Sequence, residues 1–128
     1  MKYITSILIV PLATAALTLG LFSVVNGQAK PKYTIKQIMK DALKGGLAKK
    51  VVGGEATEKE KIQFLDYAIS LYENKPKKGE AASWTRLTGN LVTAAAKIAI
   101  DPKASTATLG KAVNCKACHN KHKYDKPR

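Results

Sequence analysis

Two cysteines and a histidine stand together near the end of the chain, in Asn114-Cys115-Lys116-Ala117-Cys118-His119, and a second histidine follows at His122. They are the only cysteines and histidines in the sequence. The pattern is C-x-x-C-H, in which two thiols can add across the vinyl groups of a haem while the neighbouring imidazole takes the iron as an axial ligand. Residues i and i+3 of a helix lie on adjoining faces, so both thiols can reach one porphyrin. Cys115, Cys118, His119 and His122 share one i, i+3, i+4, i+7 stripe, and a single covalent haem c would lie along it. His122 is too close to His119 on the same helix to reach the opposite haem face, so it is expected at the surface or at the haem edge.

Other chemistries use the same residue types. Zinc could take Cys115, Cys118, His119 and His122, but structural zinc sites usually draw two ligands from elsewhere in the fold. A thioredoxin-like redox pair needs its C-x-x-C beside a βαβ pattern, and no strand pattern is evident. A disulfide between residues three apart closes almost no loop and would stabilise little.

The elements that must position this motif follow a leader-like segment. Lys2 gives a positive start, Ile7 to Val25 is almost entirely apolar, and Asn26-Gly27-Gln28-Ala29 offers small residues at alternate positions. That is a secretory signal in pattern, with cleavage expected after Ala29 or after Gly27. The competing reading is an uncleaved membrane anchor, since the apolar run nears the about 20 residues that span a bilayer. Membrane contact is expected only in that case. Residues 1–29 are therefore expected to be the signal and residues 30–128 one haem-binding domain, periplasmic or otherwise exported.

Four amphipathic segments can be read in residues 30–128. Thr34 with Gln37 makes a capping box, followed by Ile35, Ile38, Met39, Ala42 and Leu43 at helical spacing. Gly45-Gly46 weakens this helix, and Leu47 to Val52 is its expected continuation before Gly53-Gly54 ends it. Thr57 with Glu60 opens a second helix, with Ile62, Leu65, Ile69 and Tyr72 as its stripe and Phe64 and Ala68 beside it. A turn over residues 74–79 precedes a third helix from Glu80 to Ile100, with Trp84, Leu87, Leu91, Ala94, Ala95 and Ile98 inward. Asp101-Pro102 then reads as the start of a last helix that runs to about Lys123 and carries Leu109, Ala112, Val113 and the cysteines. The expected fold is all-α, an antiparallel up-down-up-down four-helix bundle.

At formal net charge +13, with 22 basic and nine acidic residues, the first partner to consider is nucleic acid. The export signal and the lack of an aromatic-basic recognition stretch argue for no nucleic acid. Lys116, Lys121, Lys123, Lys126 and Arg128 instead crowd the haem-bearing end, which suits an acidic redox partner.

With its signal, its helices and its C-terminal C-x-x-C-H, the sequence resembles the class II c-type cytochromes, the cytochrome c′ family. Cys115-Lys116-Ala117-Cys118-His119 is similar to that family's ending, with His122 where an aromatic residue usually stands and Lys123 in the basic place. The resemblance runs from about Tyr33 to Lys123. It implies His119 as proximal iron ligand and a homodimer as one assembly, although no interface can be read from the residues.

The distal side divides that family. High-spin members leave it open and take small gases such as NO or CO; low-spin members close it with a methionine from the first helix. Met39 is the only methionine after residue 29 and resembles that ligand in position. A thioether opposite His saturates the iron and raises its potential. Met39 as plain core filler remains the other reading. The expected function is a single-electron carrier with His119 and Met39 as axial ligands, and the alternative is a gas-binding protein with an open distal site. Enzyme activity is not expected: a peroxidase needs a distal acid–base group, and only Lys40 and Asp41 flank Met39, on its outward side.

Overall fold

The computed structural model describes residues 30–123, and all regular structure among them is helical. The expected signal at 1–29, and Lys126 and Arg128, lie outside the described residues. Among the described residues no helix is long and apolar enough to cross a membrane.

Helix α1 (Ile35–Ile38) opens on its capping box: the Thr34 hydroxyl accepts from the Gln37 backbone N–H at 3.3 Å, and Gln37 Oε1 accepts from the Thr34 N–H at 2.9 Å. It runs directly into a π-helical stretch, Met39–Lys44, whose last turn is closed by the Gly45 N–H donating to Lys40 O at 2.8 Å. Gly46, at φ 87°, then redirects the chain into α2 (Leu47–Gly53). The first expected helix is thus two pieces with a widened turn, because Gly46 adopts a left-handed conformation that continues no helix.

Helix α3 (Glu58–Glu73) starts at the second capping box, with the Thr57 N–H donating to Glu60 Oε2 at 2.9 Å. Its buried face is Phe64, Tyr67, Ala68 and Leu71, an i, i+3, i+4, i+7 stripe. That corrects the expected stripe, since Ile62 (55% exposed), Ile69 and Tyr72 face outward. α3 carries two apolar stripes, and the one with the aromatic volume is the one that packs.

Helix α4 (Ala81–Ile100) pairs with α3 through the turn at 74–80 to form a helical hairpin, and buries Trp84, Thr88, Leu91, Ala94, Ala95 and Ile98. Small Ala94 and Ala95 permit close approach. Buried Thr88 satisfies its hydroxyl by donating to Trp84 O at 2.8 Å. Asn74 Nδ2 donates to Tyr33 O at 2.8 Å and Ser70 O at 2.6 Å, which ties the segment before α1 to the end of α3. The Tyr33 and Tyr67 rings pack beside it, tilted by 44° with centroids 4.5 Å apart.

The last expected helix is also two pieces, α5 (Ala107–Ala112) and α6 (Cys115–His122). Asp101 does not cap it: Asp101 Oδ1 accepts from the Lys103 N–H at 2.9 Å in a local turn, and α5 begins only after Thr106. Val113 and Asn114 leave helical geometry, so α6 starts afresh at the first cysteine. Leu109, with 0% exposure, fixes α5 in the core against α4 and α2.

Candidate functional site

The break before α6 decides how the motif is presented. Asn114 Oδ1 accepts from the Ala117 N–H at 2.9 Å, capping a new helix whose first residue is Cys115. Cys118 and His119 then fall on the face turned toward α1 and α4. Both cysteines are free thiols, Cys115 exposed and Cys118 half-buried. Burial, and to a lesser degree the charge of Cys115, pushes the Cys118 thiol above its usual pKa.

Two recesses meet along this face. The inner one is lined by Cys115, Cys118 and His119 from α6, by Met39 and Leu43 from the π-helical stretch, and by Leu71, Leu87, Thr88 and Leu91 from the α3–α4 hairpin. The outer one is lined by Ile35, Lys36, Pro76, Lys77, Trp84, His122 and Lys123. Met39, Cys118 and His119 line both and form the waist between them. The four candidate residues Met39, Cys115, Cys118 and His119 therefore border one apolar recess, although Met39 is some 76 residues away in sequence from Cys115. The π-helical turn begins at Met39 itself, and such turns often mark functional positions.

Of the two places expected for His122, the surface and the haem edge, its burial rules out the surface. It is 7% exposed and packs edge-on against Trp84, ring centroids 5.3 Å apart. Its Nδ1 lies 3.0 Å from Lys78 O; a carbonyl can only accept, so Nδ1 carries the proton. In the neutral ring Nε2 then accepts from the Ser83 hydroxyl at 3.2 Å. The imidazole clamps the end of α6 to the turn between α3 and α4. Sequence spacing places it beside the motif but gives no sign of this partner, 44 residues away.

The clamp also bears on zinc. His122 is engaged by Lys78 and Ser83, and among the described residues no three His, Cys, Asp or Glu side chains come together to hold a metal ion.

Sequence reasoning missed the outer recess. Lys36 precedes Met39 by one helical turn and Lys123 follows His119 by another, which is a legible signal; Lys77 and Trp84 arrive only through the hairpin. No family model matches the chain, and comparison with curated proteins and with solved structures gives no significant match.

Proposed function

We propose that the chain is an exported c-type cytochrome of the class II kind, carrying one haem c and serving as a single-electron carrier without enzyme activity. The observation that carries this reading is the meeting of Met39 with Cys115, Cys118 and His119 around one apolar recess. The donor set suits the group: two free thiols at the vinyl spacing, an adjacent imidazole and a thioether from another helix. Haem bound there supplies a ferric–ferrous couple.

The chain's own residues do the rest. Cys115 and Cys118 would hold the group covalently and His119 and Met39 would be its axial ligands. Leu43, Leu71, Leu87 and Leu91 keep water from the recess. In this reading α1 with its π-helical continuation and α2, then α3, α4, and finally α5 with α6, act as the four members of an antiparallel bundle. Lys116, Lys121 and Lys123 are exposed at the α6 end and would steer an acidic partner toward it.

The test is an absorption spectrum of protein matured with haem-attachment machinery, ferric and reduced, before and after CO. Sharp reduced bands without a CO response are expected. A broad high-spin spectrum that shifts with CO would favour the gas-binding alternative, and absence of haem would remove the proposal.

A further inference from the structure

Sequence alone leaves the choice between the two apolar stripes of α3 open; the fold buries one and leaves the other bare. The bare stripe, Ile62, Leu65, Ile69 and Tyr72, recurs at i, i+3, i+7 and i+10, which is the a/d seam of a coiled coil. Ile62 is 55% exposed, Ile69 38% and Tyr72 46%, with Leu65 half-buried between them. The Tyr72 ring lies against the flank of α4, where a Cβ built on Gly89 would be 3.6 Å from it. Large apolar side chains lined up on an exposed face mark a contact surface. The charge around the seam says what covers it. Of 22 basic and nine acidic residues in the chain, α3 holds only Lys59 and Lys61 of the first kind but Glu58, Glu60, Asp66 and Glu73 of the second. It is the face on which two copies of this strongly basic chain repel each other least.

We propose that this seam is a self-association surface: two copies pack α3 against α3 in antiparallel fashion about a two-fold axis, with Lys59 of each copy paired to Glu73 of the other. With Ile62 and Ile69 at a and Leu65 and Tyr72 at d, Lys59 and Glu73 both take the e position, at opposite ends of one flank. Both are exposed, and neither has an ion-pair partner among the described residues. An antiparallel pair sets Ile62 opposite Tyr72 and Leu65 opposite Ile69, and e meets e, so Lys59 meets Glu73 twice over. A parallel pair gives Lys59 no acid at its level; its one attractive match, Lys61 with Asp66, would draw on a carboxylate that Lys32 already holds at 2.8 Å. None of the four seam residues except Leu65's neighbours in the core approaches the haem recesses, and none lines either of them, so the inference does not depend on haem attachment.

The test is sedimentation equilibrium of the chain matured with haem-attachment machinery, from about 1 to 200 µM, with haem counted in each sample. A monomer–dimer equilibrium is expected. Ile69→Glu changes an exposed residue, so helical circular dichroism should stay as in the parent while association weakens by about a hundredfold or more. Lys59→Glu and Glu73→Lys should each weaken it by roughly three- to tenfold, and the double replacement should restore the parent affinity. Each single replacement puts the charge that the α3 dipole favours at its end of the helix, so weaker association cannot be laid to a weaker helix. A parent that stays monomeric throughout, or a dimer indifferent to Ile69→Glu, would overturn the surface. A double variant as weak as the singles would overturn the antiparallel pairing. The mass is read with or without haem, so a failure of haem attachment is scored separately from a failure of the seam.

Discussion

Gly79 lies directly against the ring of His122: a Cβ built on it would overlap His122 Nδ1 and the carbonyl of Lys121. Its φ of +89° is also one that side-chain-bearing residues rarely adopt. The hairpin turn thus approaches α6 backbone to ring, and the absence of a side chain is what lets Lys78 O reach Nδ1 at 3.0 Å. Gly79→Ala combines left-handed strain with a clash and should lower stability by about 2–4 kcal/mol. Urea unfolding measures it; a change below about 0.5 kcal/mol, the level of an ordinary surface substitution, would contradict this packing.

The two free thiols should differ in reactivity. Cys115 is exposed, while Cys118 is half-buried with its thiol pushed up by that burial. The thiolate is the nucleophile. At pH 8 iodoacetamide should therefore modify Cys115 faster, by roughly three- to tenfold, as peptide mass spectrometry over time would show. Equal rates would mean that Cys118 is not held against the core.

Acid should act through the capping box of α3. The Lys50 ammonium, 2.8 Å away, and then the Thr57 backbone N–H hold the Glu60 carboxylate at a pKa of about 2, well under its ordinary value of 4.5. A depressed folded-state pKa means that the unfolded chain takes up the proton first. The contribution of Glu60 is present above pH 4.5 and disappears as pH falls toward 2. Glu60→Gln should flatten the fall in melting temperature across that window and leave the curve above it parallel to that of the parent. An unchanged slope between those pH values would assign the acid sensitivity to other carboxylates.

What was legible follows from range. Both capping boxes formed, since Thr34–Gln37 and Thr57–Glu60 are satisfied within three residues of chain. The grouping of Cys115, Cys118 and His119 on one helix face is likewise local. The α3 stripe is ambiguous in sequence because Ile62, Ile69 and Tyr72 are as periodic as Phe64, Tyr67, Ala68 and Leu71, and only the partner helix chooses between them. Asp101-Pro102 looked like a helix start because Asp caps and Pro leads helices, yet the same carboxylate can close a turn on Lys103. The burial of His122 leaves no local trace because its partners, Lys78 and Ser83, are some forty residues away. The π-helical turn at Met39–Lys44 leaves no periodic trace, since one widened turn hardly changes the spacing of Ile38, Met39, Ala42 and Leu43.

That turn has a residue on which it depends. Gly45 closes it by donating to Lys40 O, and a Cβ at Gly45 would lie 2.5 Å from the carbonyl oxygen of Asp41. Backbone cannot swing aside as a long side chain can, so Gly45→Ala must open or shift the turn that starts at Met39. A cost of about 1–3 kcal/mol is expected. The more telling readout is the ligand. With Met39 on the iron, Met39→Leu should lower the reduction potential and let CO bind to the reduced protein, because the thioether both raises the potential and fills the sixth position. Gly45→Ala should move the potential in the same direction by a smaller step while retaining the methionine. A Gly45→Ala protein less stable than its parent but unchanged in potential would make the turn a packing feature alone. If Met39→Leu also left potential and CO response untouched, Met39 would be core filler and not a ligand.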